Sequence, residues 1–421
     1  MWSPTREPDS RSRAKTTAFS LFRPFSTPVS EPGPDAPSLD SAAAWLVAGA
    51  TFLSTFTVFG VAYSFGSFFR PMAEEFDADR GTIALVFSIT TLLYFGLGVV
   101  SGRAADRFGP RPVLLFGAVA LVVGLVVTSR VESITVGYVT YGLGVGIGVA
   151  CGYVPMVATV GGWFDRHRST AVGLAVAGIG AGTLVVAPLA ERLIDSRGWR
   201  TTYLYLAAAS AVLLAVAAIG ARRPPVMAGT SGPAPILQQI RSNRAFGVLY
   251  LAILGISAGL FVPFVFMADY VAEQGIDGSG GLIVGLIGLC SVVGRLGLGA
   301  LAARVSPMAL FYGSLATMAA SYLIWLTAGD RYGQLVVFAL VLGVAYGGFI
   351  ALSPVVAAEL FGTVGLGGVL GALYTAAGVG GFIGPPTAGA LIDRFGYSPT
   401  LVATTAVSAL GASTYFALAR H

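Results

Sequence analysis

The stretch "GRAADRFGPRP", residues 102–112, sets one acid and three arginines between two long apolar runs, 81–102 and 113–130. Runs of about 20 apolar residues have the length that crosses the hydrocarbon core of a bilayer as a helix. Glycine lets a short connection turn tightly. Asp106 can cap a helix terminus and pair with a basic residue on a neighbouring helix. The stretch therefore reads as a short charged connection between two spanning helices, which predicts an all-α membrane protein.

The rest of the chain repeats this arrangement. Apolar runs recur at 43–69, 134–160, 169–191, 200–221, 244–270, 280–303, 307–328, 332–358, 366–391 and 399–419. With the first two runs they make twelve expected transmembrane helices, six on each side of a polar linker at 222–243. Residues 1–42 are polar, carry seven prolines in the first forty and have no apolar core, so they read as a disordered tail, not a signal peptide. The expected organisation is this tail, a six-helix half over 43–221, the linker, and a second half over 244–421. Composition agrees: 55% of residues are hydrophobic and 11% charged, where a soluble domain carries about 25% charged.

An internal repeat joins the two halves. "PLAERLIDSRGW" (188–199) resembles "PTAGALIDRFGY" (386–397), 198 residues later, and "GRAADRFGP" (102–110) resembles "GALAARVSP" (299–307), 197 residues later. Two matches at one offset imply parallel pseudo-repeats, an architecture that places a substrate site between the halves near the membrane midplane. Basic residues set the orientation. With the N-terminus inside, 16 Lys and Arg face the cytoplasm and 8 face outward, which favours cytoplasmic termini in a cell membrane.

Several functions find no support. The net charge of +5 forms no basic stripe, so nucleic acid is not expected. Cys151 and Cys290 lie in apolar runs, and His167 and His421 are the only histidines, so neither a disulfide nor a metal site is expected. "GLGVGIGVACG" (142–152) and "GVGGFIG" (378–384) lie inside spanning runs and follow no strand, so they read as helix packing, not nucleotide loops. Nothing in the sequence asks for a cofactor or an obligatory protein partner, and no nucleophile–base pair suggests an enzyme.

Gly102, Asp106, Arg107, Gly109 and Arg111 match the G-x-x-x-D-R-x-G-x-R loop of the major facilitator superfamily. In that family the loop latches the outward-facing state. Within it the chain resembles the monocarboxylate transporters and their prokaryotic relatives. The similar segments are "VAYSFGSFFRPMAEEF" (61–76), "YVPMVATVGGWFDRHRSTAVGLAVAGIGAG" (153–182), "GRLGLG" (294–299) and "SPVVAAELFG" (353–362). Arg166 and Arg168 fall in the basic connection of the second segment, which His167 interrupts.

Arg295 is the one charge in the core of any expected span. A mid-membrane arginine costs about 2.5–3.5 kcal/mol on insertion scales, so it needs an anion or a polar cavity. A guanidinium grips a carboxylate through two parallel hydrogen bonds. The resemblance implies the same role, because the matching arginine of the family holds the substrate carboxylate. It also exposes two departures. Ser291 stands where animal members carry an aspartate tied to proton coupling, and the helix 1 lysine of those members is missing. Asp269, at the end of the seventh span, is then the candidate for proton coupling. The related oxalate/formate exchangers carry a second cation in the eleventh span. None is present in 366–391, which favours a monoanion.

The expected walls are aromatic with a few hydroxyls. Tyr346 matches a tyrosine that lines the site in bacterial relatives, and Tyr153 and Tyr374 are further candidates. The expected function is secondary transport of a small organic anion of the lactate or pyruvate kind, with or without protons. The alternatives are an oxalate/formate-type exchanger and an efflux carrier of the same fold.

Overall fold

The structure, a computed structural model, describes residues 38–225, 243–362 and 366–414. Among the described residues all regular structure is helical. Eleven helices are long and apolar enough to cross a membrane: α1 (Ala42–Phe76), α2 (Arg80–Phe108), α3 (Pro110–Thr128), α4 (Ile134–Trp163), α5 (Arg168–Arg197), α6 (Trp199–Gly220), α7 (Arg244–Glu273), α8 (Gly280–Leu301), α9 (Pro307–Leu326), α10 (Tyr332–Phe361) and α11 (Leu366–Phe395). A twelfth, α12 (Tyr397–Thr414), is less apolar because Ser and Thr recur along it. Those hydroxyls fold back onto their own helix, as when Thr400 donates to the Gly396 carbonyl at 2.9 Å and Thr404 to that of Thr400 at 2.8 Å. This satisfies them without water.

The tail expected over 1–42 lies outside the described residues up to residue 37, as does the linker over 226–242. Ser41 caps α1 by accepting from the Ala44 N–H. Several helices outrun their apolar stretches, since a helix satisfies its own backbone wherever the hydrocarbon ends. The opening motif shows the consequence. Gly102, Asp106 and Arg107 are helical, not loop residues, and the connection is one residue, Gly109. Its φ of 95° excludes most side chains, and Pro110 then starts α3, where a missing N–H costs nothing.

Three helices break near their middle. α1 breaks at Ser64, α7 at Phe261 just before Pro263, and α4 at Tyr153 just before Pro155. Proline removes a backbone donor and crowds the preceding turn, which accounts for the last two breaks. The breaks at Ser64 and Phe261 stand 197 residues apart, the repeat distance. Gly198 and Gly396, with φ of 77° and 80°, end α5 and α11 at equivalent places. The fold is thus two six-helix pseudo-repeats, α1–α6 and α7–α12.

The halves meet along α2 with α11 and α5 with α8, and through the second segments of α1 and α7. Phe116, Val119 and Val123 of α3, and Val212, Val216 and Ile219 of α6, are each more than half exposed. Such rows suit lipid, not water. One end of the bundle carries the Gly109 turn and the α4–α5 connection, and is called the motif end below. The other is the far end.

Candidate functional site

Arg295 sits near the middle of α8 and is partly buried. α10 is pressed against α8 here, since a side chain on Gly347 would collide with the Ser291 carbonyl and the Arg295 N–H. This contact sets the Arg295 guanidinium 5.7 Å over the Tyr346 ring, within range of a cation–π attraction. Nη1 donates to the Val176 carbonyl of α5 at 3.2 Å. Nε and Nη2 are buried and have no hydrogen-bond partner, and no carboxylate among the described residues pairs with this arginine. Buried donors left unpaired are expensive. Two of them on one planar fork match the two oxygens of a carboxylate.

Tyrosines surround the guanidinium. Tyr153 and Tyr374 are electrostatic neighbours of Arg295 and of Tyr346. Two further tyrosines complete the group: the phenol of Tyr63 faces those of Tyr94 and Tyr346. Phenylalanines fix these rings. Phe59 stands edge-on to Tyr94 at 5.8 Å and to Tyr153 at 5.1 Å, Phe264 lies 4.4 Å from Tyr63, and Phe95 lies 6.3 Å from Tyr374. The chamber draws on α1, α2 and α4 of one half and α7, α8, α10 and α11 of the other.

Arg295, Tyr346, Tyr153 and Tyr374 are therefore brought together. Ser291, one turn before Arg295, meets α10 through its backbone carbonyl. It is fully buried, and its hydroxyl donates to the Gly288 carbonyl at 2.7 Å. Tyr63 and Tyr94 were not legible as site residues in the sequence, although Tyr63 lies within the quoted segment 61–76.

Asp269 is far from this chamber, at the far end. It is 5% exposed. Its Oδ2 accepts from Arg80 Nε at 2.8 Å and from the Tyr397 hydroxyl at 2.6 Å. Arg80 also binds Asp393, by Nη1 at 3.1 Å and by its backbone N–H at 2.9 Å, and pairs with Glu273 through Nη2. One cation of the first half thus gathers three carboxylates of the second. Nearby, Glu191 of α5 accepts from Ser279 and from the Gly281 N–H at the start of α8. Below these locks Phe69 packs edge-on against Phe266 at 5.0 Å. The far end is closed.

The motif end differs. Arg103, Asp106, Arg107, Arg111, Arg166 and Arg168 are exposed, and none of them makes an ion pair among the described residues. The pairing expected of Asp106 is not made. Its neighbour Arg107 gives its carbonyl to Arg223 Nη2 at 3.0 Å, a bond within one half.

Known proteins place this geometry. The sequence profile of the Major Facilitator Superfamily matches residues 51–385. Rat monocarboxylate transporter 3 (Rattus norvegicus) is 31% identical over 365 residues, covering 83% of this chain and 74% of that protein. The chain belongs to the monocarboxylate transporter family of the major facilitator superfamily. Human monocarboxylate transporter 11 (Homo sapiens) is 30% identical over 395 residues, 89% of this chain and 82% of its own. Among solved structures, a bacterial homologue of the human lysosomal transporter Spinster superposes with a TM-score of 0.73 at 13% identity, over 90% of this chain and 98% of that one. The nucleoside transporter NupG gives 0.72 at 13% identity, over 88% and 99%. These two likenesses concern the fold alone. The protein is a multi-pass membrane transporter and not an enzyme.

Proposed function

We propose that this transporter carries a small monocarboxylate of the lactate or pyruvate kind across the cell membrane by alternating access, with Arg295 as the carboxylate ligand. The observation that carries this reading is the pair of buried, unpartnered N–H groups of Arg295. The chamber holds no second cation among the described residues, which matches one negative charge and disfavours a dicarboxylate. Tyr346, Tyr153 and Tyr374 line the same chamber, and Ser291 backs it from the α8–α10 contact.

The excess of basic residues near the motif end supports a cytoplasmic position for that end and for both termini. The closed far end is then the outer one, and the arrangement described is inward-facing. Gly102, Asp106, Arg107, Gly109, Arg111, Arg166 and Arg168 belong to the inner latch that forms when the halves rock the other way. Substrate binding neutralises Arg295, and this eases the passage of a charge through an enclosed, water-poor state.

Coupling to protons runs through Asp269 in this reading, since Ser291 offers no acid beside Arg295. Protonating Asp269 removes the charge that Arg80 holds across the two halves, and so favours opening to the outside. The test of the main reading is uptake of labelled lactate into proteoliposomes. Arg295→Gln is expected to abolish uptake while leaving purification and helix content unchanged. Uptake at the normal rate by that variant overturns the proposal.

A further inference from the structure

The chamber holds more hydrogen-bond donors than one carboxylate takes up. Nε and Nη2 of Arg295 form the fork for its two oxygens. A third donor stands with them. The hydroxyl of Tyr94, on α2 in the opposite half, is buried and has no partner of good geometry. The side chain is 3% exposed and its ring is fixed between Phe59 at 5.8 Å and Phe95 at 4.4 Å. The phenol oxygen is therefore held in place and only its proton turns; the nearest hydroxyl, that of Tyr63, does not meet it in hydrogen-bond geometry. The phenol faces those of Tyr63, Tyr153 and Tyr346, and Tyr346 carries the guanidinium over its own ring.

The serine hydroxyls near the chamber are already engaged. Ser291 donates to Gly288, and Ser353, which neighbours Tyr374, donates to the Phe349 carbonyl at 2.5 Å. A buried hydroxyl with no acceptor is disfavoured in a protein interior unless a ligand completes it. A substrate seated on Arg295 supplies such an acceptor from the side that faces Tyr346, which neighbours both Tyr94 and the guanidinium.

We propose that Tyr94 is a specificity-determining residue that donates to an oxygen on the carbon next to the substrate carboxylate, a 2-oxo or 2-hydroxy group. This rests on Arg295 as the carboxylate ligand and adds a second contact from the other half. The substrate then bridges the halves: α8 holds its carboxylate and α2 its second oxygen. A plain carboxylate fills only the first contact and leaves the Tyr94 hydroxyl unpaired. A site built around a substrate oxygen discriminates against the analogue that lacks it.

The test uses the full-length transporter in proteoliposomes with labelled lactate, competed by unlabelled lactate, pyruvate and propionate. Tyr94→Phe removes one oxygen atom and keeps the ring. The expected result is about a tenfold weakening of lactate and pyruvate, with propionate unchanged within twofold, so that the preference for the oxygenated acids disappears. Equal weakening of all three acids, or of none, overturns the assignment. Unchanged propionate competition also reports that the variant is folded. Arg295→Gln separates the two readings. If it retains lactate uptake, the carboxylate assignment has failed; if it loses lactate uptake while Tyr94→Phe leaves the ranking of the three competitors intact, only the Tyr94 assignment has failed.

Discussion

At the far end of the bundle one arginine gathers three carboxylates from the other half. At the motif end three arginines of α2 and α3 gather none. The motif end is the richer in charge and the weaker in locks. Geometry explains this. Arg80 opens α2 at the seam with α7 and α11, and Asp269 beside it is 5% exposed, so the pair is shielded from water. Arg103, Arg107 and Arg111 stand exposed on one half, where an ion pair contributes little even when formed. A lock needs charges from both halves at a buried seam, and in this state only the far end supplies them.

The largest test breaks the far-end lock. Arg80→Gln leaves Asp269 buried without its cation and removes the link to Glu273 and Asp393. Removing one partner of such a pair costs about 3 kcal/mol, on the order of a hundredfold in the balance of open and closed far ends. With Cys151 and Cys290 replaced, a cysteine at the fully buried Val265 reports opening by reaction with a membrane-impermeant maleimide. Labelling from the far side is expected to rise strongly. Unchanged labelling shows that aromatic packing such as Phe69 on Phe266 closes this end without the ion pairs.

A smaller effect is expected from Asp269→Asn, because Glu273 and Asp393 still hold Arg80. About 1–2 kcal/mol is lost from the closed form, as for a hydrogen bond to a charged group. Maleimide labelling of this variant from the far side should rise less than that of Arg80→Gln. Labelling equal to that of Arg80→Gln shows that Asp269 alone carries the lock and that Glu273 and Asp393 add nothing to it. Glu191→Gln is milder still. It keeps an acceptor for Ser279 and the Gly281 N–H but loses the charge that favours a helix N-terminus, worth about 0.5–1 kcal/mol.

The sequence made some of this contrast legible and hid the rest. Arg295 stood out because one charge in an apolar span has few explanations. The repeat was readable because Gly198 and Gly396 must both turn the chain with positive φ, and their neighbourhoods match. Arg80 and Asp269 were visible only as charges near span ends, since 189 residues separate them and nothing local records their pairing. Tyr94 was hidden for a related reason: a tyrosine in a spanning run reads as packing until the rings around it are placed. The motif misled in one respect. Its glycines suggested a loop, yet Gly102 is helical and Gly109 alone makes the turn, because two helices can be joined by one residue when its φ is positive.

The smallest expected effect lies at the motif end, where Asp40 holds the α4–α5 connection. Its carboxylate accepts from the N–H groups of Arg166 and His167, each at 3.1 Å, and from that of Asp165 at 3.4 Å. Its own N–H donates to the Trp163 carbonyl at 3.1 Å. Desolvation pushes the Asp40 carboxyl upward, but the three backbone donors outweigh it and hold it below its ordinary value of 3.8. A depressed carboxyl contributes above its ordinary value and loses that contribution as pH falls below it. Across pH 5 to 8 the Asp40 carboxylate therefore stays charged and keeps its three backbone donors. Asp40→Ala should speed proteolysis at residues 164–168 severalfold and leave the pH profile of uptake unmoved. A shifted uptake profile in this variant would mean that the two ends are coupled through the tail side of α1, and that the motif end contributes to pH sensing after all.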